Sequence, residues 1–155
     1  LLEPGIGEAL LSPEKIPVQQ IIPQRPPMVM IDALLEATPE RGLARKTFRT
    51  GDYGVCEGRV CETALVECVA QTTAALSGYG NPGRPGEERL GFLVGLSGFS
   101  FARRPGIGER LLIEARFTRD FGEITLVQGR VFAGGINGEC IAEGELKIYL
   151  KNGKA

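Results

Sequence analysis

The sequence predicts an α+β domain in which a curved antiparallel sheet wraps around one long central helix. Three observations carry this. Residues 61–77 run without Gly or Pro and stop at Gly78 and Gly80, with Pro82 beyond, the mark of a helix and its terminator. From Leu90 onward the pattern is strand and turn. The helix itself has few large side chains, with Ala64, Cys68, Ala70, Thr72, Thr73, Ala74 and Ala75 in its body, so it is expected to be buried on several faces. A sheet that encloses it would account for that.

The elements follow in order. Residues 1–17, with Pro4, Gly5, Gly7, Pro13 and Pro17, are expected to be irregular. Residues 18–22 can form one helical turn before Pro23. Pro23-Gln24-Arg25-Pro26-Pro27 is extended or turned, because each proline pushes its predecessor out of the helical region. Residues 28–35 read as a largely apolar strand, and 43–49 as a second, after the turn at 38–42. Residues 50–60 form a loop with three glycines. After the helix come strands at 91–102, 111–118 and 123–133, the last two joined by Asp120-Phe121-Gly122. Asn137-Gly138 signals a hairpin into the final strand. There Cys140, Ala142, Gly144, Leu146, Ile148 and Leu150 share one face, and Glu139, Ile141, Glu143, Glu145, Lys147 and Tyr149 the other. At 155 residues the whole chain, 1–155, is expected to be one domain.

Composition narrows the chemistry. There is no histidine, so a His-based triad, a His-ligated zinc and an imidazole base are all excluded. Acid–base work would fall to Asp, Glu, Cys, Tyr or Lys. The formal charge is -1, from 18 basic and 19 acidic residues, which gives no nucleic-acid footprint. No apolar run is long enough for a membrane span. The four cysteines, Cys56, Cys61, Cys68 and Cys140, contain no C-x-x-C pair. They are read as reduced, in a cytoplasmic protein. Neither a metal nor another cofactor is expected.

Three stretches then carry a resemblance. Residues 22–32 hold a Pro-X-Arg-X-Pro turn feeding a strand that ends in Asp32. Leu65-Val66-Glu67-Cys68-Val69-Ala70-Gln71 places an apolar pair, Glu, two residues and Ala-Gln on the helix. Residues 99–109 lead into Pro105-Gly106-Ile107-Gly108-Glu109. In this order they resemble the hotdog-fold (3R)-hydroxyacyl-[acyl-carrier-protein] dehydratases over roughly residues 18–150. The resemblance implies the hotdog fold and dehydration of a carrier-linked 3-hydroxyacyl thioester. It also implies Glu67 as the carboxylate that protonates the departing hydroxyl. The family's catalytic His, in a Gly-His-Phe-Pro loop before the helix, is missing. Matched by motif, Arg59 stands there; counted back from Glu67, Tyr53 does. A guanidinium stays protonated and is no base. The proline-rich joint between that loop and the helix is also absent, and Gln24 stands where relatives often have His.

Each candidate has a plain reading beside the functional one. Glu67 is either the family acid or an inert hydrogen-bonded Glu at a dimer seam. Gln71, one turn on, orients that carboxylate or closes a polar network. Gly58 serves turn geometry or offers a backbone N–H to a thioester carbonyl. Tyr53 and Arg59 line the substrate's approach in place of the lost His. Cys56 and Cys61 are small filler, or a thiolate favoured by a helix N-terminus; Cys68 and Cys140 are expected in the core. Arg103 and Arg104, with Arg84 and Arg89, are solvated charge or a docking patch for an acidic carrier protein. Ala64, Ala70 and Ala74 are expected to leave a narrow apolar tunnel for an acyl chain. The expected partners are an acyl carrier protein or acyl thioester and a second copy in an edge-to-edge dimer, or a hotdog paralogue. The alternatives to an impaired dehydratase are a non-catalytic subunit of a hetero-oligomer, a carrier-binding module, and an acyl thioesterase using Glu67 and water.

Overall fold

The computed structural model describes residues 12–80 and 90–151. Two 3-10 turns, Pro13–Lys15 and Val18–Gln20, lead in. Strands β1 (Ala33–Ala37) and β2 (Arg41–Thr47) are followed by a small hairpin, β3 (Val55–Cys56) and β4 (Arg59–Val60). Helix α1 spans Glu62–Tyr79. Then come β5 (Leu90–Phe101), β6 (Arg110–Phe121), β7 (Ile124–Ala133) and β8 (Glu139–Lys151). Six strands make one antiparallel sheet in the order β1-β2-β6-β7-β8-β5, so β1 and β5 are its edges. The α+β class and the helix-in-sheet architecture are as the sequence predicts.

The sheet accepts the helix because it is bare where α1 crosses it. Gly42 pairs with Ala115, and Ala115 with Gly129, a row of small residues across three strands. A Cβ on Gly129 would sit 2.4 Å from Val69 Cγ1, and one on Gly42 would lie 3.3 Å from Leu76 Cβ. The neighbouring row, Ala44, Ile113, Val131 and Ala142, is buried against Leu65, Cys68 and Val69. The small side chains of α1 and the small row of the sheet are therefore two halves of one close approach. Thr72 and Thr73, buried on the helix, satisfy their hydroxyls on the carbonyls of Cys68 (2.7 Å) and Val69 (3.0 Å).

Three expectations are corrected. The first strand begins at Ala33, not 28, because Met28 and Met30 give their backbone groups to a side chain, described below. The 50–60 loop contains the β3–β4 hairpin, turned by Glu57 (φ 52°) and Gly58 (φ 73°), the two positive φ values of a type I′ turn. In β8 a register shift opposite Val131 and Phe132 inserts Ile141 as an extra residue. Ile141 is therefore fully buried, while Cys140, expected in the core, is only half-buried beside Glu143 and Arg130. Of the irregular 1–17 segment, residues 1–11 lie outside the described residues, as do Arg84 and Arg89.

Candidate active site

Glu67 lies in the middle of α1 on a half-buried stripe shared with Ala70, Ala74 and Ser77. Its Oε1 accepts a 2.9 Å hydrogen bond from Gln71 Nε2, one turn along the helix. Gln71 is fully buried, and both of its amide hydrogens and its oxygen are engaged. Its Nε2 also donates to Met28 O (2.6 Å), and its Oε1 accepts from Met30 N–H (2.8 Å). One side chain thus takes the place of a strand partner for residues 28–30, and this ties that segment to the helix outside the sheet. Gln71 orients the carboxylate and closes a network at once.

A second anchor was not anticipated. Lys46, 6% exposed, points inward from β2 and lies 4.9 Å from the centroid of the Phe48 ring. Its Nζ meets Asp52 Oδ2 at 3.2 Å and Asp32 Oδ1 at 3.6 Å. Asp32 Oδ2 also accepts the Thr47 N–H, and Asp52 Oδ2 the Arg49 N–H. Burial pushes the Asp52 carboxyl up, but the Arg49 N–H and Lys46 outweigh it and hold it below the usual carboxylate range. This pins both the motif segment that runs up to Asp32, just before β1, and the loop that carries Tyr53. The signal was legible: Lys46 is two residues from Ala44 and four from Gly42, so strand alternation puts it on the core face. Cys68 is fully buried, and burial pushes its thiol up to about 12.

The loop before α1 closes over the helix's first turn. Gly54 (φ 91°) comes so near Ala64 that a Cβ would be 2.7 Å from that methyl, and its carbonyl accepts the Cys61 N–H. Tyr53 is 56% exposed, and among the described residues no hydrogen bond or ion pair joins it to Glu67. Gly58 and Arg59 stand at and beside the hairpin tip, exposed. Cys56 is exposed too, so it is not core filler. Its thiol is pushed up by contact with the Cys61 thiol, the reverse of an activated thiolate.

The two docking arginines separate. Arg103 is gripped by Glu109 (Nη2–Oε1, 2.5 Å; Nη1–Oε2, 3.0 Å) and by Glu139 (3.0 Å), and Glu109 Oε2 also accepts the Gly106 N–H. Arg103 therefore staples the 105–109 turn. Its hydrogen bonds push the Glu109 carboxyl down. Arg104 is exposed, near Cys56. Of the three alanines expected to border an acyl tunnel, Ala64, Ala70 and Ala74, one is covered and two are half-open. Ala64 is packed under Gly54, and the other two sit on the half-open stripe. An open groove of about 700 Å³ lies along the proline-rich segment, lined by residues that include Val18, Arg25, Val29, Ile31 and Asp32.

Chemically, this arrangement offers one oriented carboxyl without a cationic partner among the described residues. It can give or take one proton at a time. Residues 16–155 match the ApeP-like family, described as ApeP dehydratase. The chain is 32% identical over 146 residues to the 3-hydroxyacyl-[acyl-carrier-protein] dehydratase FabZ of Roseiflexus sp., covering 87% of this chain and 94% of that one. Identity to the protein of the same description from Anaeromyxobacter dehalogenans is 24% over 139 residues, covering 86% and 87%. Among solved structures, the dehydratase heterocomplex ApeI:P from Xenorhabdus doucetiae superposes with a TM-score of 0.77 at 18% identity, covering 89% of this chain and 93% of that one.

Proposed function

We propose a function for this chain from one premise: it belongs to the ApeP-like dehydratase family. It is a dehydratase-like hotdog protein, and its role is to hold 3-hydroxyacyl groups carried as thioesters on an acyl carrier protein. Glu67 serves as the acid toward the departing hydroxyl. The observation that carries this reading is Glu67 itself, fixed by the buried Gln71 on a half-open stripe of an otherwise buried helix. With no histidine in the chain, the base that removes the α-proton has no ordinary source here, and a lone carboxyl cannot be acid and base together.

The chain completes its site by pairing. The edge strand β5 exposes Phe92, Leu93, Val94 and Leu96, each more than 40% accessible. An apolar, unpaired edge is a template for another strand. The partner is a second copy or a His-bearing hotdog paralogue, a reading supported by the heterocomplex neighbour. Arg104 and Arg59, both exposed, are the carrier-docking and substrate-approach cations, with Gly58 in the β3–β4 turn beside Arg59.

The test is turnover of carrier-linked 3-hydroxyacyl substrates by the pure chain. The expected rate is at least ~10²-fold below that of a His-containing relative. Glu67→Gln should remove what remains while leaving carrier binding unchanged. Robust dehydration that survives Glu67→Gln would sink the reading. Sedimentation tests the edge: wild type should be at least dimeric, and Val94→Asp should shift it toward monomer.

A further inference from the structure

Two segments frame the first half of α1 without joining the six-stranded sheet: residues 28–32, just before β1, and residues 48–54, just after β2. The first is tied to Glu67 through Gln71, whose Nε2 donates both to Met28 O and to the Glu67 carboxylate. The second reaches the first turn of α1 at Gly54, whose carbonyl accepts the Cys61 N–H. One buried ammonium joins the two. Lys46 Nζ lies 3.2 Å from Asp52 Oδ2 and 3.6 Å from Asp32 Oδ1. Among the described residues, neither carboxylate has a second ion pair. Asp32 accepts the Thr47 N–H and Asp52 the Arg49 N–H, so each acid is also fixed at the end of β2. Without the cation, two half-exposed carboxylates would be left to repel each other.

We infer that Lys46 is a positioning residue for the Glu67 site. It touches no reacting atom. Its ammonium holds residues 28–32 and the loop that carries Tyr53 at a fixed separation, and Gln71 passes the position of Met28 and Met30 on to the Glu67 carboxyl. A carboxyl that must meet a departing hydroxyl is sensitive to such placement, because an error of about 1 Å costs up to ~10²-fold in rate. Packing acts on the same two segments. The Phe48 ring lies 4.9 Å from Lys46 Nζ, and a Cβ on Gly54 would stand 3.7 Å from that ring and 3.6 Å from Met30 Cε. The inference rests on the dehydratase reading for what Glu67 does, and on the ion pairs and hydrogen bonds for how it is held.

The experiment compares the wild-type chain with Lys46→Met and with the triple variant Lys46→Met, Asp32→Asn, Asp52→Asn. The single variant strands both carboxylates and should unfold at lower urea. The triple variant removes the stranded charge while its amide oxygens still accept from Thr47 and Arg49, so its midpoint should return toward wild type. Hydrogen exchange is read at Met30 and at Val55, whose N–H bonds Asp52 O, each as a ratio to the slowest core amides of the same sample, so that a global stability change cancels. In the triple variant both ratios should rise about tenfold or more. Its kcat on carrier-linked 3-hydroxyacyl substrate should fall about tenfold or more, with KM within about twofold of wild type. Unchanged ratios would overturn the inference. So would raised ratios with an unchanged kcat, since Lys46 would then anchor the two segments without setting Glu67. Wild-type turnover that survives Glu67→Gln would instead sink the dehydratase reading and leave the exchange result standing.

Discussion

Two carboxylates of this chain occupy opposite environments. Glu114, on the outer face of β6, is 2% exposed and ringed by guanidinium groups. Arg41 Nε lies at 2.7 Å, Arg130 Nη2 and Nε at 2.6 and 2.9 Å, and Arg116 at 3.7 Å. Glu67, on α1, is half-buried and, among the described residues, has one neutral amide donor. Glu114 is saturated, so its charge is spent on joining β2, β6 and β7. Glu67 is oriented but left with lone pairs to give. On the function proposed above, the reactive acid is Glu67 and not the more deeply buried Glu114. What distinguishes it is incomplete satisfaction on a surface that is still open, the arrangement a group needs if it is to exchange a proton with something else.

Removing the outer carboxylate should have the largest effect on stability. Glu114→Gln leaves Arg41 and Arg130 facing a neutral amide in a half-buried site, and breaking such a pair costs about 3–5 kcal/mol. The low end is expected, because both arginines keep access to water. Urea unfolding of the variant should show the loss at neutral pH. A change under about 0.5 kcal/mol, the usual range for a surface substitution, would mean that the network is ornamental and the comparison is empty.

Acid should sharpen the same contrast. Burial pushes the Glu114 carboxyl up, but Arg130 and Arg41 together hold it below the usual range. A depressed carboxyl stabilises the fold above its unfolded value of ~4.3, and that stability is lost as pH falls through the folded value. Asp52 and Glu109 are depressed in the same direction. Unfolding midpoints should therefore fall below about pH 4, and Glu114→Gln should flatten that decline. An unchanged slope in the variant would remove Glu114 from the linkage.

Gln71→Leu comes next. It strands Met30 N–H, Met28 O and one carboxylate oxygen of Glu67. Losing the partner of a buried backbone group costs roughly 1–3 kcal/mol, and a net loss near ~2 kcal/mol is expected because Met28 is partly open to water. Hydrogen exchange at Met30 should accelerate by more than the global stability change accounts for. Uniform exchange would show that residues 28–30 are held by packing alone.

These two sites were unequally legible in the sequence. The helix, a hairpin into β8 and the order of elements follow from local pattern, because turn chemistry and periodicity are local, although the positive φ angles of that hairpin fall on Gly134 and Gly135 and not on Asn137-Gly138. Glu67 and Gln71 share a helix face for the same reason. Glu114 did not stand out, because one acid in a strand of alternating polar residues looks solvated until its neighbours from β2 and β7 are known. The start of β1 was misplaced because Gln71, about forty residues away, supplies the hydrogen bonds that a strand partner normally would. Ile141 and Cys140 exchanged roles through a bulge that no alternation rule foresees. What was missed is what depends on pairing across the chain.

The smallest stability effect should belong to the residue with the largest chemical role. Glu67→Gln keeps side-chain volume, and its amide oxygen can still accept from Gln71 Nε2, so the Met28–Gln71–Met30 clamp survives intact. No cation is left unpaired, because none among the described residues pairs with Glu67. The folded state therefore loses little, and the change in unfolding free energy should stay within about 0.5 kcal/mol. Residual dehydration should nonetheless vanish, since an amide cannot donate the proton that the departing hydroxyl needs. Measured side by side, Glu114→Gln should lose stability and keep whatever turnover its folded fraction supports, while Glu67→Gln should do the opposite. A Glu67 variant as unstable as the Glu114 variant would make Glu67 a second structural acid, and the open stripe on α1 would then have no proton to offer.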